Sequence, residues 1–179
     1  RVLSPEARQI LAVQETESLH EAQFGVQAGR SAGRPYATYV LIALNCMMFA
    51  VEWSSGGSTN NDALYSLGAL CVVPGSAIGW WRILASTFLH FGSLHLLMNM
   101  LGLYLLGPFV EYRLGSARYT LAYLISGMGS MLVILLVCMF MAAGGRTMAT
   151  IYVGASGSIM GMVGATAAIL LRVWWRRQS

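Results

Sequence analysis

The sequence predicts an all-α membrane protein, a polytopic bundle of helices. Three observations predict it. Hydrophobic residues make up 56% of the 179 and charged residues only 10%, where a soluble domain carries about a quarter charged. Four uncharged stretches are long enough to cross a bilayer as helices. All eleven basic residues are arginines, and they lie at the ends of those stretches or in the polar tail, where charges flanking membrane helices belong.

Residues 1–35 carry Arg1, Arg8, Arg30 and Arg34 against Glu6, Glu15, Glu17 and Glu21. Leu3, Ile10 and Leu11 fit a short helix there, broken by Gly25, Gly29, Gly33 and Pro35. This is a polar tail ahead of a membrane domain spanning 36–175. The first spanning helix is expected at about 37–53, with Tyr36, Tyr39 and Trp53 as interfacial anchors.

Residues 54–92 read as an outer loop. It opens on the turn-rich Ser54–Asn61. Its uncharged part, Ala63–Trp81, is interrupted by Gly68, Pro74, Gly75 and Gly79, so it reads as interfacial or partly inserted, with a fifth span as the alternative. The second helix is expected at about 93–110, followed by a polar connection from Glu111 to Arg118. A third follows at about 118–142, then a short loop holding Arg146. The fourth is expected at about 154–172, stopped by Arg172, Arg176 and Arg177.

With four spans, the tail, the 111–118 connection and the C-terminal end share one side. They hold four, two and three arginines, nine of the eleven; only Arg82 and Arg146 lie opposite. The positive-inside rule then puts the N-terminus in the cytoplasm. The expected setting is a bacterial inner membrane or its equivalent.

Composition also excludes function classes. The net charge is +4, but its arginines are scattered, so no nucleic-acid patch is expected. Cys46, Cys71 and Cys138 show no metal or CxxC spacing and read as small hydrophobes. His90 and His95 have no carboxylate near them in sequence, so no metal site and no cofactor are expected.

Chemistry is expected in two of the uncharged stretches. Residues 152–161 read Tyr-Val-Gly-Ala-Ser-Gly-Ser-Ile-Met-Gly. A serine among glycines is poor helix design, but small neighbours let a substrate or a backbone come close to its hydroxyl. His90, His95 and Asn99 lie some sixty residues earlier. Polar groups at membrane depth are functional candidates. His95 and Asn99 share a helix face, where two donors aimed at one point stabilise an oxyanion, at about 3 kcal/mol per donor. The bland alternative is inter-helix hydrogen bonding, worth about 1 kcal/mol each. His90, nearer the loop, suits a hydrogen bond within it. Gly157, Gly161, Gly164 and Ala168 form a smooth stripe against which another helix can pack closely.

Taken together, Trp81-Arg82, His90-Phe-Gly-Ser-Leu-His95-Leu-Leu-Met-Asn99, Gly107-Pro-Phe-Val-Glu111-Tyr-Arg113-Leu-Gly115 and Gly154-Ala-Ser156-Gly157 with Gly161 resemble the rhomboid family of intramembrane serine proteases. The resemblance covers about residues 37–171. It implies about four of six core helices, with the chain stopping before the fifth and sixth.

The resemblance further implies that Ser156 is the nucleophile. His95, Asn99 and the Ser156 N–H form the oxyanion site. Trp81, Arg82, His90, Glu111, Arg113, Gly154, Gly157 and Gly161 are structural. It implies cleavage of transmembrane segments of membrane proteins near the outer side of the bilayer, without metal or cofactor. The partners are transmembrane substrates and the lipid bilayer, not nucleic acid.

Family members pair the serine with a histidine on a sixth helix. The histidines here are His20, His90 and His95, so the 179 residues alone are expected to be inactive and the parent to carry the dyad. The stripe on the serine helix is expected to receive a helix from beyond this sequence. The alternative function is a catalytically inactive relative that binds membrane clients. A transporter subunit is disfavoured because no internal repeat is seen.

Overall fold

A computed structural model of the chain describes residues 12, 34–72, 79–145, 150–176 and 178. The short helix expected around Leu3–Leu11 and the loop arginine Arg146 lie outside the described residues. So do Pro74 and Gly75. The bundle belongs to the unit Pro35–Ser179.

The elements are α1 (Tyr36–Ser54), α2 (Asn61–Leu67), β1 (Leu70–Cys71), α3 (Trp81–Ala85), α4 (Ser93–Leu114), α5 (Ser116–Ala143), β2 (Ile151–Tyr152) and α6 (Ser156–Arg176). Four of them, α1, α4, α5 and α6, are long and apolar enough to cross a membrane. The protein is an all-α polytopic bundle with, among the described residues, one two-residue antiparallel ladder, pairing Leu70 with Tyr152 and Cys71 with Ile151.

The bundle buries several polar side chains beside an apolar core and exposes large apolar side chains on its outside, as lipid allows. On α1 the buried residues are Thr38, Leu41, Asn45 and Glu52, one stripe of the helix. On α5 they are Tyr119, Tyr123, Gly127 and Met131, spaced four apart. The apolar core joins Leu41, Met100, Leu103, Val110, Tyr119, Tyr123, Ala155 and Met162. Asn45 ties α1 to α5, its amide donating to the Tyr123 hydroxyl at 3.1 Å and to the Leu41 carbonyl at 2.7 Å.

The polar connection expected from Glu111 to Arg118 is not a loop. Helix α4 runs through Pro108 to Leu114, and α5 begins at Ser116 after Gly115 alone. Gly115 has φ +80°, the left-handed region that lets two helices abut across one residue. Glu111 stays helical because its side chain turns inward. Its carboxylate accepts from the Ala37 N–H (3.0 Å), the Thr38 N–H and hydroxyl (both 2.8 Å) and the Ser116 hydroxyl (2.6 Å). Helix α1 has no side-chain cap from Pro35. Glu111 supplies it from another helix, meeting the orphan donors and the positive end of the helix dipole. Nearby, the Arg113 guanidinium sits 5.7 Å over the Phe109 ring.

The expected outer loop is more ordered than its composition implies. Asn60 caps α2, accepting from the Asp62 and Ala63 N–H groups at 3.0 and 3.4 Å. No described helix within it is long enough to be a fifth span. Arg82 donates to the carbonyls of Tyr65 (2.6 Å) and Ala69 (3.1 Å), closing the C-terminal end of α2, and its guanidinium lies 4.0 Å over the Tyr65 ring. Trp81 packs against Gly68, whose φ of +110° ends α2.

The serine helix runs to Arg176, within the group of arginines expected to stop it and four residues past the expected end at about 172; arginine is a good helix former. One further expectation is corrected. The glycine stripe does not wait wholly for an outside helix. Gly157 lies against Ser130 and Gly161 against Ser126, both on α5. Gly164 alone has nothing within 4 Å of the place a Cβ would take.

Candidate active site

The site forms where α4 and α6 begin. Ser156 is the first residue of α6, and its side chain is exposed. The backbone N–H groups of that first turn have no partner one turn back. They sit at the positive end of the helix dipole, so developing negative charge is favoured there.

Three contacts hold the segment before Ser156. The β1–β2 ladder pins Ile151 and Tyr152 to the outer loop. The Gly154 N–H donates to the Ser86 carbonyl at 2.9 Å. Ala155 is fully buried in the core. Gly154 itself has φ +127°, a conformation side chains rarely adopt.

His95 stands in the first turn of α4 and Asn99 one turn later. The His95 ring lies directly against Gly154. A Cβ there would sit 2.6 Å from His95 Cε1, 2.8 Å from Nε2 and 3.7 Å from Ser156 Oγ. The imidazole and the hydroxyl therefore flank the same point. Asn99 is 5% exposed, and its amide nitrogen is buried without a hydrogen-bond partner among the described residues. Buried donors are seldom left unpaired, which sets this amide apart from the others in the bundle.

His90 supports the site from behind. It is fully buried. Its Nδ1 faces the Phe88 carbonyl at 3.2 Å, which places the ring proton on Nδ1. Its ring meets that of His95 edge to face, centroids 5.4 Å apart. Burial, with a smaller contribution from repulsion by His95, holds its pKa down to about 4. A neutral His90 at working pH is thus a weak base.

The other positions carried over from the sequence are placed apart from this point. Arg82 and Trp81 shape the end of α2. Glu111 and Arg113 lie at the other end of α4. Gly157 and Gly161 set the α5–α6 approach. One group was missed. Glu52, at the end of α1, is fully buried, and its carboxylate accepts from the His90 N–H at 2.9 Å. The signal was a lone acid beside Trp53 at the end of an apolar helix, which nothing else in the sequence accounts for. It also places a carboxylate at His90 that sequence proximity does not reveal. Among the described residues no group of three or more metal-ligating side chains forms.

The model of the Rhomboid domain matches residues 77–178. The Rhomboid protease GluP of Bacillus subtilis is 35% identical over 142 residues, covering 78% of this chain and 25% of the relative. RHOMBOID-like protein 6, mitochondrial, of Arabidopsis thaliana is 36% identical over 118 residues, 64% of this chain and 35% of the relative. The Rhomboid protease AarA of Providencia stuartii is 29% identical over 142 residues, 76% of this chain and 50% of the relative. The chain thus spans between a quarter and a half of the length of these relatives.

Proposed function

The chain belongs to the rhomboid family, and from that membership we propose that the protein is an intramembrane serine endopeptidase. Its substrates are transmembrane segments of other membrane proteins. The observation that supports this is that the His95 ring and the Ser156 hydroxyl both lie within 4 Å of one point beside Gly154, with the unpartnered Asn99 amide one turn along α4.

The roles follow from chemistry. Ser156 Oγ attacks a peptide carbonyl as its proton passes to a base. The carbonyl oxygen gains the negative charge and is met by the His95 ring N–H, the Asn99 amide and the Ser156 N–H. Collapse of the tetrahedral species breaks the C–N bond and releases the amine end, which takes up the proton. Water then hydrolyses the acyl-serine. Each oxyanion donor is worth about 3 kcal/mol in a dry site.

This reading assigns the base to none of the three histidines of the sequence. His90 is buried, weakly basic and bonded through Nδ1. His95 serves the oxyanion. His20 belongs to the polar tail. An unassisted serine hydroxyl is a poor nucleophile at neutral pH, so these residues alone do not turn over substrate. The arginine distribution supports a cytoplasmic N-terminus and cleavage near the opposite, outer face.

The test uses the protein with its natural termini. A fluorophosphonate probe should label it, and Ser156→Ala should abolish the labelling. A folded sample that Ser156 does not label would instead favour a client-binding relative without activity.

A further inference from the structure

Glu52 has no role in the mechanism above, yet it is the buried acid that reaches the site. It is fully buried at the end of α1. One carboxylate oxygen accepts from the His90 N–H at 2.9 Å, and the other has no partner among the described residues. Burying a carboxyl group with half its hydrogen-bonding capacity unmet costs stability. It also sits at the C-terminal end of a helix, where the dipole disfavours an acid. The side chain is poor at holding α1 together, so its placement calls for another account.

The contacts run on from it in one direction. Glu52 holds the His90 backbone. The His90 ring, fixed by the Phe88 carbonyl, meets the His95 ring edge to face at 5.4 Å. The His95 ring abuts Gly154 beside Ser156. The His90 loop has another anchor on this side, the Gly92 N–H donating to the Ser58 carbonyl at 3.2 Å. Glu52 is the side chain that accepts from the His90 N–H.

The geometry points to Glu52 as a positioning residue for the proposed reaction: as a hydrogen-bond acceptor it fixes His90, and through His90 it sets the angle of the His95 ring at the oxyanion site. This rests on the protease reading for its consequence in rate, but not for its consequence in geometry. What matters is the acceptor, because a single oxygen makes the contact.

The experiment takes the natural full-length protein in lipid nanodiscs with Glu52→Gln, Glu52→Asp and Glu52→Met. Gln keeps an acceptor at the same reach. Asp keeps the carboxyl group but withdraws the acceptor by one methylene. Met removes it at similar volume. Two readouts are taken: the ring 15N signals of His90 and His95, assigned by His90→Gln and His95→Gln, and kcat with KM on a transmembrane substrate. Glu52→Asp and Glu52→Met should shift the His95 ring signals and lower kcat about tenfold or more with KM little changed, as misplaced catalytic groups do. Glu52→Gln should stay near wild type in both.

If Glu52→Met does not fold, the comparison of Asp with Gln still decides. Unmoved His95 signals in Asp and Met, or a Gln variant as impaired as Met, would overturn the proposal. A wild type without turnover dependent on Ser156 would sink the protease reading alone, and the ring signals would still judge Glu52.

Discussion

The His95 imidazole occupies the space that a side chain on Gly154 would need. A Cβ there would meet Cε1 at 2.6 Å and Nε2 at 2.8 Å, contacts that real Cβ atoms do not make. The φ of +127° at Gly154 adds strain for any other residue. Gly154→Ala should therefore push His95 away from Ser156 and cost about 1–3 kcal/mol of stability. Labelling of the full-length protein by a serine probe should slow about tenfold or more. The labelling rate beside the thermal midpoint checks both, and a variant labelled at the wild-type rate would show that the close approach does not matter.

Glu111 joins three helix ends through four hydrogen bonds. Glu111→Ala would leave the Ala37 and Thr38 N–H groups without a cap inside the bundle. The expected loss is about 2–3 kcal/mol, read as a lower unfolding midpoint in detergent. Glu111→Gln should fall between, because one oxygen still accepts while the amide NH2 faces donors.

His90 makes stability depend on pH. Its pKa is held near 4 by burial, below its ordinary 6.5. Between those values the unfolded chain binds a proton that the folded chain refuses. The neutral ring's contribution is fully present above its ordinary pKa and drains away as the pH falls towards 4. The shift corresponds to roughly 3 kcal/mol. Unfolding wild type and His90→Gln from neutral to acid pH should show the steeper loss in wild type. Parallel curves would remove His90 as the cause.

The glycines of α6 should not be equivalent. At Gly157 and Gly161 a Cβ collides with Ser130 and Ser126 of α5. Gly157→Val or Gly161→Val should cost about 1–3 kcal/mol through overpacking. Gly164 faces open space, and alanine is the better helix former by up to about 1 kcal/mol. Gly164→Ala should leave the 179-residue chain as stable or slightly more so. Unfolding the three variants side by side tests the order.

The four membrane helices were legible because lipid demands uncharged runs of a set length, which sequence displays directly. His95, Asn99 and Ser156 were legible as polar residues where polarity is costly. Helix ends were less so. Glu111 looked like the start of a loop because a carboxylate seldom lies inside a bundle, and its partners Ala37 and Thr38 are more than seventy residues away. The Leu70–Tyr152 ladder was invisible, since two-residue strands carry no periodicity. The stripe on α6 was seen, but its partner was misassigned. A smooth face states that something packs closely and does not say which helix.

Hydropathy and the spacing of a few polar residues were enough to specify a membrane bundle, its spans and which side chains are candidates for chemistry. Those are local properties, set by what each residue costs in lipid and by the rise of a helix. The juxtapositions came from packing: His95 against Gly154, Glu52 beneath His90, Glu111 capping α1 and Ser126 and Ser130 seated on the α6 glycines. Each joins residues far apart in the chain. A buried donor or acceptor takes whichever partner the folded helices bring within reach, and no spacing along the chain records that choice.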